Sequence, residues 1–504
     1  MSPDTHIIYG PPGCGKTTKL INLVGEKIKQ GLDPTQVVFI SFTRKATQES
    51  RSRAMDNLKL KEAQLPWFKT MHALAFHQLG YDSKQVMGFS DYIKLCEELG
   101  LYITYRGFME DGTFSGQTRG DRLLFMESMS RTTMMTLREF WESSPDEDIE
   151  WHELELVSVT IRNYKVANDK KDFTDMIHDY CENPIIPESR VLLIDEAQDL
   201  SPLQWKMANI LSDAIGETHI AGDDDQSIFR WAGACTETFI DLPGRREVLP
   251  KSYRVPIKVQ EVANDVVSRI LHRVDKKWHP RNFPGLVIRI NELTELDMGS
   301  GTWLLLARNT FLLETYSQHC TMCGHLFDGP GVKAREGIPS AIRAWRALRA
   351  GESISAIDVE RIYDLLKTGS GVARGFKGLV GELDRSQKFT MEELRRKHGL
   401  VKDQSSTWEE ALERITDEER EYFLAALRRG ETLEDTPRIR ISTIHSAKGG
   451  EADNVVVMTD MAQRTWDEYH KCPDDEARVF YVAVTRARHA LYIVSPKTNR
   501  WYDI

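Results

Sequence analysis

The stretch that most constrains this chain is Gly10-Pro11-Pro12-Gly13-Cys14-Gly15-Lys16-Thr17, which fits the pattern GxxxxGK[ST] at every fixed position. Ahead of it stands His6-Ile7-Ile8-Tyr9, short and apolar as a buried strand is. Behind it, Thr18-Lys19-Leu20-Ile21-Asn22-Leu23-Val24 carries apolar residues at helical spacing. A strand, a glycine-rich turn and a helix in that order make a phosphate cradle. The glycines let the backbone bend with its N–H groups facing inward, and the helix adds the positive end of its dipole. Gly10, Pro11, Pro12, Gly13, Cys14, Gly15, Lys16, Thr17 and Thr18 are therefore expected around a nucleoside triphosphate. Lys16 is expected to reach the β- and γ-phosphates, and the Thr17 hydroxyl to hold Mg²⁺.

The chain goes on alternating strand and helix. Val37-Val38-Phe39-Ile40-Ser41-Phe42 reads as a buried strand, and Thr43 caps the helix that follows. Phe42, followed by Arg44 and Lys45, falls at a strand's C-terminal edge, where α/β sheets place ligands. An aromatic beside cations suits a stacked base and a phosphate, although a phenylalanine taken alone more often fills a core. Trp67-Phe68-Lys69-Thr70-Met71-His72-Ala73 is a third such strand end. From 81 to 184 the pattern is helical and highly charged, with a Met- and Ser-rich stretch from Met126 to Met135 and an acidic loop at Ser144-Pro145-Asp146-Glu147-Asp148. It reads as an inserted helical subdomain whose charges face solvent.

Val191-Leu192-Leu193-Ile194 restores the sheet and delivers Asp195 and Glu196 at its end. Asp195 is expected beside the Mg²⁺ held by Thr17. Glu196, one residue on, points elsewhere and can take a proton from water. Ile220-Ala221-Gly222 leads into Asp223-Asp224-Asp225-Gln226 and on to Phe229 and Trp231. Gln226 is expected to bond a γ-phosphate or the attacking water, and the two aromatics to form a stacking platform.

Composition sets outer limits. A chain of 504 residues is long enough for three or four domains. The net charge of −10 excludes a bulk basic field but not a local basic groove. No apolar run approaches the ~20 residues of a membrane helix. The seven scattered cysteines suit a reducing cytoplasm. His319, Cys320, Cys323 and His325 crowd together, but no second ligand pair stands at finger-like spacing, so a helix end and turn is expected there.

Taken together these motifs resemble those of the superfamily 1A DNA helicases, the group of UvrD, Rep and PcrA. GPPGCGKT is similar to that family's motif I, SFTRKAT to motif Ia, TMHALA to Ib, DEAQD to II and GDDDQSIFRW to III. Further on, Leu249-Pro250-Lys251-Ser252-Tyr253-Arg254 resembles motif IV, Ser442 to Glu451 motif V, and Val479 to Arg488 motif VI. The resemblance runs from residue 6 to about 495. It implies an α/β fold of two RecA-like P-loop domains with parallel sheets, ATP in the cleft between them, and a helical insertion in each. The expected division is 1–80 and 185–255 as the first core, 81–184 as its insertion, 256–345 and 436–504 as the second core, and 346–435 as a shorter insertion. Arg254 and Arg486 match the arginine-finger positions, and Glu451 the residue that contacts the ribose. Phe42, Phe229 and Trp231 match aromatics that stack on single-stranded DNA; Thr43, His72, Thr443 and His445 match positions near its backbone.

The sequence also departs from the family. The upstream motif that reads adenine is expected to be absent or displaced. Relatives read WRGA where this chain has Trp231-Ala232-Gly233-Ala234, so a basic contact is missing or replaced by Arg230. Gly450-Glu451 stands where LE is usual. Thr368-Gly369-Ser370-Gly371-Val372, before Arg374 and Lys377, reads as an interhelical turn, with a grip on duplex phosphates as the alternative.

The resemblance implies an ATP- and Mg²⁺-dependent 3′–5′ DNA helicase working on single-stranded DNA and single-strand/duplex junctions in replication, repair or recombination. It would be cytoplasmic, off the membrane, and a monomer or weak dimer, with or without a protein that loads it. Three other readings stand beside it. One is a single-stranded DNA translocase that strips proteins or powers a nuclease or defence partner without unwinding. Another is a small-molecule kinase, against which Arg254 and Arg486 speak. The last is an inactive scaffold, against which intact Lys16, Thr17, Asp195, Glu196 and Gln226 speak.

Overall fold

The computed structural model describes residues 4–104, 118–144, 148–330, 337–433 and 436–504, and the chain divides into two compact units. The first unit comprises Met1–Phe283 and Lys471–Thr485, the second Pro284–His470 and Arg486–Ile504.

The first unit is built on six strands: β1 (Thr5–Tyr9), β2 (Val37–Ile40), β3 (Phe68–Lys69), β4 (Val191–Ile194), β5 (Glu217–Gly222) and β6 (Arg245–Val248). They lie in the order β3-β2-β4-β5-β1-β6, and every pairing is parallel. Every residue of β2 and β4 is buried, which is why their sequences are unbroken apolar runs. β2 ends at Ile40, so Ser41 and Phe42 already belong to the turn beyond the strand. Helix Lys16–Lys29 covers one face through Leu20, Ile21 and Val24; helix Pro202–Ile215 covers the other through Leu203, Met207 and Leu211.

Between β3 and β4 the chain is helical. Helices Phe89–Glu98, Arg119–Thr132, Leu137–Ser143 and Trp151–Asn168 enclose a core of their own, with Leu95, Leu123, Leu154, Val157 and Ile161 at its centre. Helix Phe173–Glu182 instead joins the sheet core through Met176, Ile177 and Tyr180. Of the acidic stretch Ser144–Asp148, residues 145–147 lie outside the described residues. After β6, helix Ile257–Val267 packs on helix Pro473–Val484, which returns to this unit from late in the chain.

The second unit also has a six-stranded parallel sheet. In chain order its strands are β7 (Leu286–Ile290), β8 (Trp303–Ala307), β9 (Phe327–Asp328), β12 (Ile439–Thr443), β13 (Ala452–Met458) and β14 (Ala487–Val494). They are arranged β7-β14-β13-β8-β12-β9, and a separate two-stranded ribbon pairs β10 (Ile354–Ser355) with β11 (Lys388–Phe389). The helices between 338 and 428 share one continuous core with this sheet: Trp345, Val359, Tyr363 and Phe423 belong with Leu305, Ile439 and Val456. At Thr368–Val372 the chain makes a turn, closed by Gly369 N–H donating to the Val372 carbonyl at 2.7 Å. The Lys377 ammonium donates to the carbonyls of Asp364 (3.1 Å) and Leu366 (3.0 Å), closing the end of helix Ala356–Leu365. Helix Leu313–Met322 ends just before Cys323, and His325 faces Glu431 at 3.3 Å. Among the described residues no helix is long and apolar enough to cross a membrane.

Candidate active site

In a parallel sheet all C-terminal strand ends fall on one edge, so the turns after β1, β2, β4, β5 and β6 are gathered there whatever their distance in sequence. After β1, Gly13 (φ 69°) and Gly15 (φ 84°) bend the loop, and Gly15 starts helix Lys16–Lys29 with no side chain capping it. The first N–H groups of that helix thus face the loop, as a phosphate site requires. Lys16 is 8% exposed and donates to the Gly10 carbonyl at 3.0 Å. Burial alone would lower its pKa; Glu196, Cys14, Asp223 and Asp195 outweigh that and hold the ammonium above its ordinary range.

The turn after β4 faces this loop. Thr17 Oγ1 donates to Asp195 Oδ2 at 2.5 Å, joining the two oxygens predicted to share a metal ion. Burial and the neighbouring Glu196 charge push the Asp195 carboxyl up to about 6, against the Thr17 hydrogen bond and Lys16, which pull it down. Hydroxyl and carboxylate oxygens are the hard donors that Mg²⁺ prefers, and two crowded acids gain from a cation, so the residues present fit that ion. Glu196 sits in the left-handed region at φ 55°. It is held there by Gln198, whose Nε2 donates to Glu196 Oε2 at 2.6 Å. Gln198 is fully buried, and its Oε1 accepts from Asp223 N–H at 2.9 Å, tying the turn after β4 to the turn after β5. On that second turn Gln226, 6% exposed, donates through Nε2 to Asp223 Oδ2 at 2.6 Å.

Arg254 reaches the same edge by a backbone route. Tyr253 N–H donates to the Gly13 carbonyl at 2.8 Å, and Ser252 Oγ to the Pro12 carbonyl at 2.6 Å. The same hydroxyl accepts from the N–H groups of Arg254 (3.2 Å) and Val255 (3.0 Å). A Cβ at Gly13 would fall 2.4 Å from Arg254 Cβ, so a glycine is required where the two turns touch.

The predicted aromatics form one run. Phe42 and Phe229 stack with ring centres 5.8 Å apart and planes 22° apart; Phe229 meets Trp231 edge-on at 6.4 Å. Phe42 and Phe229 are half-buried, while Trp231 is 40% exposed. Phe42 packs against the core with one part and against Phe229 with another. Thr43 caps helix Arg44–Leu58 by accepting from Ala46 N–H at 3.1 Å. His72, at the start of helix Met71–Gln78, meets Phe173 edge-on at 5.6 Å. Arg230 pairs with Glu237 and, at 3.8 Å, with Asp475.

Thr443, His445, Glu451 and Arg486 belong to the second unit. Thr443 ends β12 and accepts from Ser446 N–H at 3.2 Å, shaping the turn that carries His445. Arg486 is 1% exposed and donates to the Gly450 carbonyl at 3.3 Å, next to Glu451. Glu451 is exposed and faces Arg488 at 3.6 Å. The two units thus each bring together part of the predicted set.

Sequence reasoning gave no role to Gln198 or Ser252, though both lie inside quoted motifs, and missed Arg273 and Lys276 altogether. The one signal for the last two was the run Asp223-Asp224-Asp225, because three adjacent acids at a buried strand end require counter-charges from elsewhere.

Comparison with known proteins adds an independent line. Residues 2–245 match the UvrD/REP helicase N-terminal domain and residues 382–498 the UvrD-like helicase C-terminal domain. The chain is similar to the ATP-dependent DNA helicase Rep of Buchnera aphidicola (26% identity, over 56% of this chain and 44% of that protein). A probable DNA helicase of Mycoplasma pneumoniae is 24% identical over 54% of each chain. The ATP-dependent DNA helicase PcrA of Staphylococcus epidermidis aligns at 22% identity over 98% of this chain and 81% of its own. The alignments to the first two relatives span about half the length of those proteins. Among solved structures, an arterivirus helicase in complex with DNA covers 98% of this chain and 62% of its own at 11% identity and a TM-score of 0.34, a likeness too slight to bear on the argument.

Proposed function

Because this chain belongs to the UvrD/Rep/PcrA-like superfamily 1 helicases, we propose that it is an ATP-driven motor that moves 3′ to 5′ along single-stranded DNA and unwinds duplex ahead of it. The observation that carries this reading is the single sheet edge shared by Lys16, Thr17–Asp195, Glu196–Gln198 and Ser252–Arg254, with Phe229, at the centre of the Phe42–Phe229–Trp231 run, three residues beyond Gln226.

In this proposal the glycine-rich loop and Lys16 bind the phosphates of ATP. Thr17 and Asp195 hold Mg²⁺, which when bound neutralises charge on the phosphate oxygens. Glu196, aimed by Gln198, accepts a proton from the attacking water, and Gln226 orients that water or the γ-phosphate. Arg254 and Arg486 stabilise the charge that spreads over the γ-phosphoryl oxygens in the transition state. Glu451 contacts the ribose. Phe42, Phe229 and Trp231 stack on bases without regard to sequence, as a motor passing any DNA requires, while Thr43, His72, Thr443 and His445 line the backbone. The occupancy of Asp223–Gln226 by one end of this chemistry and of Phe229–Trp231 by the other gives ATP turnover a short covalent path to the DNA grip.

The test is ATP hydrolysis by the full chain with and without single-stranded DNA, beside Glu196→Gln and Arg254→Ala, followed by strand displacement on duplexes with 3′ or 5′ tails. DNA-stimulated hydrolysis lost in both variants, with displacement only from 3′ tails, is expected. Hydrolysis indifferent to DNA would overturn the motor reading. Stimulated hydrolysis with no displacement from either tail would replace the helicase by a translocase.

A further inference from the structure

Asp223 and Asp224 are 0% exposed and Asp225 is 1% exposed. Adjacent anions shielded from water repel strongly and need close counter-charge. That charge comes from a segment outside every motif read in the sequence. Lys276, whose side chain is itself 1% exposed, places its ammonium 3.0 Å from Asp223 Oδ1 and 2.9 Å from Asp225 Oδ2, and donates to Asp224 Oδ1. Arg273 forks onto Asp225 at 2.8 and 2.7 Å, and Val274 N–H donates to Asp224 at 2.8 Å. Helix Pro473–Val484 contributes Arg478, whose Nε donates to the Asp224 carbonyl at 3.0 Å. The Asp223 carboxylate is the shared member: one oxygen takes the Lys276 ammonium, the other the Gln226 amide.

We propose that Lys276 is a positioning residue for ATP hydrolysis, fixing Asp223 so that Gln226 is held in one orientation at the sheet edge. The inference rests on the hydrolytic reading above and extends it to a residue outside the motifs. Burial works against the Asp223 carboxylate, but Lys276, Lys16 and Gln226 outweigh it and keep it below the ordinary range, so the anion that aims Gln226 persists at neutral pH. Arg273 also supplies charge, yet its fork engages Asp225 rather than the carboxylate that holds Gln226. A compact ammonium suits this place because three acceptors converge on a single atom, which a planar guanidinium does not reproduce.

The experiment is steady-state ATP hydrolysis by the full chain with single-stranded DNA, using Lys276→Met combined with Asp224→Asn. That pair removes one positive and one negative group, so the net charge of the buried cluster is unchanged. We expect kcat to fall about 10- to 100-fold with the KM for ATP within about 3-fold. In a Gln226→Ala background the same pair should cost no more than about 2-fold further, because both act through one side chain. If the paired variant melts at the assay temperature, Lys276→Arg takes its place, with an expected kcat loss of about 3- to 10-fold. An unchanged kcat would overturn the proposal, as would a full additional loss in the Gln226→Ala background or a Gln226→Ala variant with normal kcat. A crystal structure of the paired variant gives a reading independent of hydrolysis. A displaced Asp223–Gln226 turn supports the proposal and an unmoved one overturns it. A wild-type chain that hydrolyses nothing while the variant's turn is displaced would sink the hydrolytic reading and leave the positioning intact.

Discussion

At Gly222 one methyl group would decide whether two turns stay joined. A Cβ there would lie 2.6 Å from Gln198 Oε1 and 2.7 Å from Phe239 Cζ, both deep in the unit. Gly222→Ala is therefore expected to cost about 1–3 kcal/mol in denaturant unfolding, as overpacking does, and to lower kcat by loosening the grip of Gln198 on Glu196. Trp231 is the opposite case, because its ring is 40% exposed and holds up little of the fold. Trp231→Ala should leave the melting temperature nearly unchanged while weakening single-stranded DNA binding by about 1–3 kcal/mol, read by fluorescence anisotropy. At this scale the sequence was most legible where chemistry dictates residue type at fixed spacing. Lys16, Thr17, Asp195, Glu196 and Arg254 are such cases, and the first unit does gather them on one edge. Lys276 was illegible for the converse reason: its partners stand some fifty residues away, and a lysine in His272-Arg273-Val274-Asp275-Lys276-Lys277 looks like any solvated one.

Helices in the stretch between β3 and β4 are tied by polar groups as well as by their core. Asp91, in helix Phe89–Glu98, accepts from Gly88 N–H at 2.9 Å, from the Tyr164 hydroxyl at 2.9 Å and from Lys170 at 3.3 Å. Burial would raise its pKa, but Gly88, Tyr164 and Lys170 outweigh it and hold the carboxyl below its ordinary 3.8. A carboxyl lowered in the folded state adds stability that is fully present above its unfolded pKa and is lost as pH falls through the folded one. Wild type should thus lose stability below about pH 4, and Asp91→Asn should lose about 1–2 kcal/mol at neutral pH and show a flatter acid limb in urea titrations at stepped pH. Elements with an unbroken apolar run, such as β2 and β4, were readable from sequence because burial on both faces permits nothing else. Their ends were not, since Ser41 and Phe42 continue the pattern of β2 after its pairing has stopped at Ile40. The two-residue strand β3 was legible only through the polar strand end Trp67–Ala73 that surrounds it.

The whole chain passes between its two units at 283/284, 470/471 and 485/486. Helix Pro473–Val484, though late in sequence, completes the first unit: Asp474 accepts from Leu271 and His272 N–H at 3.1 Å, and Arg478 donates to Asp224 and His272 carbonyls at 3.0 and 2.7 Å. Residues 1–283 expressed alone should melt more than about 10 °C below the same segment carrying 471–485 on a flexible glycine–serine linker, by calorimetry. Sequence shows Val479–Arg488 only as a motif and says nothing of the helix or of where it docks, because tertiary return over two hundred residues leaves no local trace. The parallel sheet of the first unit has one more outcome. Since the turns expected to be reactive share an edge, the other edge carries none of them. Gln30, exposed at the end of the helix that leads back there, offers a place for a fluorophore once the exposed Cys472 has been replaced. A dye on that side would follow this half of the machine during turnover while leaving its working parts untouched.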